Sequence, residues 1–148
     1  NRRYLEMYGY RCTMQTDTEV LAYALDLLMR RQRLAIEVAS KILAPPLWAE
    51  IDVMNGREKA FYAYLRQSYS SLLMNGPFSV IAAHNGEMIG LTDRVKLRPL
   101  TAGTAGDMVY LSSEEAAIQL VSPSLEKVWS PRGGEPVAAR LKSAGAPS

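Results

Sequence analysis

The chain changes its sequence pattern at one place, the turn sequence NGP at residues 75–77. Before this turn, apolar residues recur with the 3.6-residue period of amphipathic helices. After it, short β-prone runs alternate with turn residues. Helices followed by antiparallel hairpins indicate an α+β fold in one domain. The length of 148 residues permits such a fold, because a domain of about 150 residues buries roughly 70% of its unfolded surface.

The first half of the chain predicts three helices. The strongest signal covers residues 16–31, where leucines and an alanine fall on one face. Thr16 followed by Glu19 is the signature of a capping box, which predicts that this helix begins there. The segment 10–14 before it is predicted as a strand. The other two helices are predicted over residues 34–43 and 59–74, and the segment 44–58 receives no role.

The second half predicts two hairpins. β-prone runs at residues 78–83 and 88–92 flank Asn85-Gly86, a sequence that favours a type I′ hairpin turn. A second hairpin begins near Leu100 and returns through residues 108–112. The remaining predicted elements are a short helix at residues 113–119, a last strand at residues 135–141 and a frayed tail at residues 143–148.

The net charge, the single cysteine and the single histidine exclude several classes of function. The net charge of +2 lacks the Lys/Arg excess of a nucleic-acid binder, and no apolar run approaches the roughly 20 residues that cross a bilayer. The single cysteine, Cys12, excludes an internal disulfide and favours a reducing, cytoplasmic setting. The single histidine, His84, excludes a His-His metal pair, so we expect no metal site and no cofactor in this chain.

Three motifs stand in a fixed order: TDTEV at residues 16–20, NGPFS at residues 75–79 and DRVKLRPL at residues 93–100. We call them the first, second and third motif. In this order and spacing they resemble the glutaminase domain of class II glutamine amidotransferases, and purine-pathway amidotransferases and asparagine synthetases carry similar motifs. The chain looks most like the amidotransferase domain of glutamate synthases, archaeal-type ones especially. The resemblance extends from about residue 1 to residue 136.

The resemblance implies a fold and a reaction. The fold is like that of N-terminal-nucleophile hydrolases, a sandwich of antiparallel sheets between helical layers. The reaction is hydrolysis of the glutamine side-chain amide, with the ammonia passed to a synthase site; a glutamate synthase would combine it with 2-oxoglutarate. In the family, a Cys at the mature N-terminus is the nucleophile. Its α-amine, with a pKa of about 7.7–8.0, is the base.

The family's nucleophile, its carboxylate-binding Arg and its oxyanion Asn-Gly pair all precede the first motif. Here only residues 1–15 precede it. The resemblance therefore implies that residues 1–148 are the C-terminal portion of a glutaminase domain, with no catalytic residue in this chain. The expected partners are glutamine, a synthase domain or subunit, and the upstream part of the same domain or a separate chain that carries the nucleophile. Neither nucleic acid nor membrane is expected. Half a sandwich is expected to expose apolar sheet surface.

Asp17 is the one functional residue of the family that the motifs carry over. In the family, the Asp at the start of this helix binds the substrate ammonium. Backbone N–H groups and the helix dipole favour a carboxylate in the first turn. The same position also fits the alternative that Asp17 only supports the helix. Thr16 and Glu19 are expected to form the helix cap.

Two other sequences suggest chemistry but receive structural interpretations. Cys12 has no histidine near it in the sequence and is interpreted as a small buried hydrophobe. His84-Asn85-Gly86 imitates the family's oxyanion motif. It follows the second motif instead of preceding the first, so it is interpreted as a hairpin turn with His84 exposed beside it.

The third motif contains charged residues, and these too are interpreted as having a structural role. Asp93 and Arg94 are expected to tie a strand end to the following loop, with Arg98 in the same set and Pro99 fixing the start of the next strand. A contact with a partner domain is the alternative. The family motif usually has a glycine where this chain has Lys96.

Two functions follow from these patterns. The first is an enzyme part: the C-terminal portion of a glutaminase domain that works with residues encoded elsewhere. The alternative is a non-catalytic, truncated amidotransferase-like module with a folding, regulatory or interaction role. The sequence immediately upstream of Asn1 would distinguish the two.

Overall fold

The structure is a computed structural model that describes residues 1–142; the predicted frayed tail, residues 143–148, lies outside the described residues. None of the helices in residues 1–142 combines the length and the apolar composition needed to cross a membrane. A π-helical segment, Asp26–Arg31, extends α2, and a 3-10 turn, Ser70–Leu72, follows α5. The helices are α1 Arg2–Met7, α2 Asp17–Leu25, α3 Ile36–Leu43, α4 Trp48–Asp52, α5 Gly56–Ser68 and α6 Glu115–Val121.

The described strands form two antiparallel sheets. The first sheet has the order β1-β2-β6 and the second has the order β4-β3-β5. The strands are β1 Ser79–His84, β2 Glu87–Thr92, β3 Thr101–Ala105, β4 Met108–Ser112, β5 Lys127–Trp129 and β6 Val137–Arg140. Helices together with antiparallel sheets confirm the predicted α+β fold.

The two sheets stack between helices. Ile89 and Leu91 of β2 join the core that α1, α2, α3 and α5 build on one face of the first sheet. On the opposite face, a Cβ added to Gly90 would lie 2.9 Å from Cδ1 of Leu111 and 3.1 Å from Cδ2 of Leu100, so the second sheet packs there. Helix α6 in turn covers the outer face of the second sheet. The layers are therefore helix, sheet, sheet, helix.

The two predicted hairpins are confirmed. The first pairs β1 with β2 around Asn85-Gly86, and both turn residues have positive φ, 47° and 74°, as a type I′ turn requires. The second pairs β3 with β4 around Gly106, which has a φ of 54°. The last predicted strand is β6, and the predicted short helix is α6.

The predicted strand at residues 10–14 was wrong. Several of its backbone polar groups bond to the side chains of Glu19, Arg2 and Tyr23 instead of to a neighbouring strand. Glu19 accepts hydrogen bonds from the N–H groups of Thr13 and Met14, and Arg2 donates to the carbonyls of Cys12 and Met14. The segment is irregular because these side chains satisfy the hydrogen bonds of its backbone N–H and C=O groups without a neighbouring strand. Helices α1 and α4 and strand β5 were not predicted, and the predicted third helix begins earlier, at Gly56.

The loop before β6 packs so tightly that only glycine fits at one position. A Cβ on Gly133 would lie 2.4 Å from the carbonyl oxygen of Arg94, a backbone atom that cannot rotate away. We expect Gly133→Ala to lower the free energy of unfolding by about 1–3 kcal/mol, the usual cost of overpacking. Gly56→Ala is the matched control, because nothing lies within 4 Å of its added Cβ. Urea denaturation measures both, and equal midpoints for the two variants would contradict the packing.

Candidate functional site

Asp17 lies in the first turn of α2, where its neighbour Thr16 caps the helix and so leaves the Asp17 carboxylate unbonded. The Oγ1 atom of Thr16 accepts a hydrogen bond of 3.3 Å from the N–H of Glu19 and so caps the helix. Asp17 is exposed, and its carboxylate makes no hydrogen bond or ion pair with any of residues 1–142. It is a free anion at the positive end of a helix.

Glu19 does not complete the predicted capping box. Its buried carboxylate reaches past Thr16 and accepts hydrogen bonds of 2.8 Å from the N–H of Thr13 and 2.9 Å from the N–H of Met14. Burial raises the pKa of the Glu19 carboxyl, but these donors and the charge of Arg2 outweigh burial, and the pKa lies below its usual value. Glu19 therefore holds the segment that leads into α2, and Thr16 alone caps the helix.

Asp17 opens onto a cleft in which the three motifs meet. One part of the cleft, of about 600 Å³, lies between Asp17 and the second-motif residues Asn75 and Gly76. An adjoining part, of about 430 Å³, is lined by Asp17, Phe78 and Arg98 of the third motif. We call the two parts together the motif cleft. Motifs far apart in the sequence thus form a single concave surface.

Asp93 fastens the third motif to the second. Its side chain is buried, with 2% exposed, and accepts hydrogen bonds from the backbone N–H groups of Val95, Leu97, Arg98 and Phe78 at distances of 3.0–3.4 Å. Burial raises the pKa of the Asp93 carboxyl, but the four donors together outweigh burial and the pKa lies below its ordinary value of 3.8. Asp93 thereby fixes the backbone of one wall of the motif cleft.

Arg94 completes this attachment, and Lys96 ties the third motif to residues 130–131. The Nη2 atom of Arg94 donates a hydrogen bond of 2.8 Å to Oδ1 of Asn75, in the wall of the motif cleft. Lys96 occupies the position of the family glycine with a φ of 56°, in the left-handed region that glycine enters without strain. Its ammonium donates to Pro131 at 2.6 Å and to Ser130, which hold it in this conformation.

The other candidate residues lie outside the motif cleft. Cys12 is half-buried, its carbonyl accepts from Arg2, and it does not line either part of the cleft. His84 is exposed at the end of β1 and lines a separate, smaller pocket between the first hairpin and α2. Within residues 1–142 no group of three or more His, Cys, Asp and Glu side chains could hold a metal ion.

Sequence analysis missed Asn75 and Phe78 as parts of the cleft wall. Both belong to the second motif, but the turn signal explained Asn75 locally and the β-prone run at residues 78–83 explained Phe78. The signal that could have found them is the pairing of motifs. The third motif has one acidic residue, Asp93, against three basic ones, so some of its basic side chains had to find partners elsewhere in the chain.

Comparisons with known proteins give a family and two relatives. The sequence model of the class II glutamine amidotransferases matches residues 6–137. An uncharacterized protein of Archaeoglobus fulgidus is 58% identical over 143 residues, which cover 97% of this chain and 38% of that protein. An amidophosphoribosyltransferase of Pyrococcus horikoshii is 38% identical over 55 residues, which cover 37% of this chain and 12% of that enzyme. The chain therefore spans well under half the length of the relatives that it matches.

Proposed function

The chain belongs to the class II glutamine amidotransferases, and we propose that it supplies part of the glutamine site of an enzyme that hydrolyses the glutamine side-chain amide to glutamate and ammonia. The observation that carries this proposal is the free carboxylate of Asp17, which opens onto the cleft where the three motifs meet. Site geometry and family membership support the same reaction class.

Asp17 binds the α-ammonium group of glutamine in this proposal. A free carboxylate forms a charge-assisted hydrogen bond with an ammonium, and such bonds contribute about 1.5–3 kcal/mol. The side-chain amide then extends along the cleft, past the wall formed by Asn75 and Phe78. Asp93 and Arg94 act through this wall, because they hold its backbone and the Asn75 side chain in place.

The nucleophile in the proposal is an N-terminal cysteine that is not among these 148 residues. Its thiol loses a proton to its own α-amine and its sulfur attacks the amide carbon. The carbon–nitrogen bond breaks, the protonated nitrogen leaves as ammonia, and water then cleaves the thioester to release glutamate. Cys12 takes no part, because it lies outside the motif cleft.

Cys12→Ser tests the assignment of the nucleophile. We expect the variant to release ammonia from glutamine at the wild-type rate, within about twofold, because the thiol does not line the motif cleft. The assay uses the intact polypeptide or complex that contains both this chain and the N-terminal cysteine. Loss of ammonia release with unchanged folding would make Cys12 the nucleophile and overturn the assignment.

Ammonia from this site passes, in the proposal, to a glutamate synthase site that converts 2-oxoglutarate to glutamate. The support is the resemblance of the three motifs to glutamate synthase domains. The similarity to an amidophosphoribosyltransferase makes a phosphoribosyl acceptor the competing possibility. Feeding the intact system glutamine with either acceptor and measuring which one gains nitrogen distinguishes them.

The test of the proposed function is ammonia release from glutamine by the intact system. We expect wild-type protein to release ammonia when glutamine is added. The blank, which contains the protein without glutamine, should release none. A non-catalytic amidotransferase-like module is the alternative, favoured by the position of the sole thiol, Cys12, away from the cleft. No ammonia release from an intact, folded system would establish that alternative.

The structure has an edge strand at which a further strand could pair. Strand β1 lies at the edge of the first sheet, and its Ile81 side chain is 49% exposed. An edge strand presents unpaired backbone N–H and C=O groups to which a further strand can pair. We propose that the part of the enzyme carrying the nucleophile pairs here, next to the second motif.

A further inference from the structure

An apolar pocket lies between the first hairpin and the helix formed by α2 and its π-helical extension. Its volume is about 240 Å³, and no lining residue is shared with the motif cleft. A dry apolar cavity of about 150 Å³ holds benzene, so this pocket has room for one large apolar side chain. We call it the hairpin pocket. Its apolar lining residues are Ala22, Leu25, Met29, Ala82, Ala83 and Ile89.

The helix above the hairpin pocket departs from α-helical geometry at this place. Asp26, Met29 and Arg30 line the pocket, and all three belong to the π-helical segment Asp26–Arg31. π-helical turns are rare and are frequently found at functional sites. On the sheet side, the small side chain of Ala82 leaves the space beneath this turn open.

The charged residues that line the hairpin pocket are already paired. The carboxylate of Asp26 accepts hydrogen bonds from the guanidinium of Arg30 and the hydroxyl of Tyr10, at distances of 2.5–2.8 Å. Glu87 forms an ion pair with Arg140 at 2.7 Å. Because these charges are paired with each other, the pocket fits an uncharged apolar group and not a charged ligand.

The free edge of β1 runs along the same pocket. The N–H of Asp93 donates to the carbonyl of Phe78, next to the first residue pair of β1 and β2. Hydrogen-bonded pairs alternate along an antiparallel ladder, so the even-numbered residues of β1 bond to β2. The N–H and C=O groups of Ile81 and Ala83 therefore point away from β2, to the side where residues 1–142 supply no strand.

A strand added at this edge would direct a side chain into the hairpin pocket. Ala82 faces the helical core, because its partner in β2 is the core residue Ile89. In an antiparallel pair, the residue of an added strand opposite Ala82 lies on the same face, with its Cα about 4.5 Å away. Its side chain would occupy the space that the small Ala82 leaves open.

Neither the end of this chain nor a second copy offers the required side chain. Residues 143–148 have the sequence SAGAPS, which contains no large apolar residue. In a β1–β1 pair between two copies, the residues on the pocket face would be Val80, Ala82 and His84. Val80 already packs against its own core, Ala82 is small, and His84 is polar. The matched segment covers only 38% of the Archaeoglobus fulgidus relative, so most of such a protein is a possible source of the strand.

We propose that a strand from the part of the enzyme outside residues 1–148 pairs with β1 and places a leucine or phenylalanine side chain in the hairpin pocket. This inference rests on the proposed function, because it specifies how the remaining part of the enzyme attaches at β1. Backbone pairing supplies the attachment, and the pocket selects the register by accepting one large apolar side chain opposite Ala82.

Hydrogen exchange in the intact system tests the pairing. We expect the amides of Ile81 and Ala83 to exchange at least about tenfold more slowly than those of an unstructured peptide, because both N–H groups donate to the added strand. Exchange of these two amides at the rate of an unstructured peptide would overturn the proposal.

Ala22→Leu tests the pocket, because Ala22 is an exposed lining residue of α2 and both residue types favour helices. The larger side chain narrows the pocket, so exchange at Ile81 and Ala83 should become at least about tenfold faster, which corresponds to about 1.4 kcal/mol. Ala60→Leu, at an exposed position of α5, is the matched control and should leave exchange unchanged. Circular dichroism checks folding. Equal exchange in the two variants would overturn the role of the pocket.

Photo-cross-linking identifies the occupant. The photoreactive residue p-benzoylphenylalanine replaces His84, which is exposed and lines the pocket, or Leu120, which is exposed on α6 and does not line it. We expect a cross-link from position 84 to a peptide outside residues 1–148, and none to that peptide from position 120. A cross-link from position 84 to a second copy of this chain, or none outside residues 1–148, would overturn the proposal.

Hydrogen exchange also separates this inference from the proposed function, because it does not depend on catalysis. Ammonia release by a system in which the amides of Ile81 and Ala83 are unprotected would overturn the added strand and leave the glutaminase proposal standing. Protection that Ala22→Leu removes, in a system that releases no ammonia, would support the added strand and overturn the glutaminase proposal.

Discussion

Asp17→Ala is expected to lower kcat/KM for glutamine roughly 10- to 150-fold, which corresponds to the loss of a charge-assisted hydrogen bond of about 1.5–3 kcal/mol. The effect falls on the binding of glutamine because the carboxylate meets the ammonium in both the ground state and the transition state, so KM should rise more than kcat falls. The side chain is exposed and unpaired within residues 1–142, so folding should change little. Steady-state ammonia release by the intact system measures this.

Asp107→Ala is the matched control for that experiment. Asp107 is also an exposed aspartate, but it lies in the β3–β4 turn, where it pairs with Lys142, away from the motif cleft. It should leave the kinetics unchanged. If Asp17→Ala and Asp107→Ala behave alike, the alternative that Asp17 only supports the helix is correct.

Asp93→Asn is expected to lower the free energy of unfolding by about 2–4 kcal/mol at neutral pH, because an amide nitrogen would replace one of two oxygens that accept buried backbone N–H groups. Oδ2 of Asp93 accepts from Leu97, Arg98 and Phe78, so a donor in its place faces other donors. Urea denaturation measures the change. Asp52→Asn, at an exposed position, is the control.

The pH dependence of this effect has a definite sign. The folded-state pKa of Asp93 lies below its ordinary value of 3.8. Its stabilisation is therefore fully present above that value and is lost as the pH falls through the lower, folded-state pKa. The difference in unfolding free energy between wild type and Asp93→Asn should thus shrink as the pH drops below about 3.8. A difference that stays constant down to strongly acidic pH would contradict the role of the charged carboxylate.

The predictable part of this fold came from local signals. The turn residues Asn85 and Gly86 fixed the first hairpin because both must adopt positive φ. Thr16 marked the start of α2 because its hydroxyl caps a free N–H. Such features depend on residues within a few positions of each other, and the sequence displays them directly.

The remainder depends on contacts between distant residues. Glu19 bonds to Thr13 and Met14 instead of completing the capping box, since the segment before α2 needs acceptors for its N–H groups. Lys96 adopts a left-handed conformation because residues more than thirty positions away hold its ammonium. For the candidate site, the motifs identified Asp17, but its cleft emerged only when the fold brought Asn75 and Arg98 beside it.

The central claim is that the motif cleft binds glutamine through Asp17. The most direct test is a titration of the intact system with L-glutamine, with its N-terminal cysteine replaced by alanine so that glutamine is not hydrolysed, followed by the ¹⁵N amide chemical shifts of the residues in this chain. The account predicts that the shifts of Thr18, Gly76 and Phe78 change, and that these changes disappear in Asp17→Ala. Shift changes that persist in Asp17→Ala, or amides in the motif cleft that stay unmoved at saturating glutamine, would contradict it.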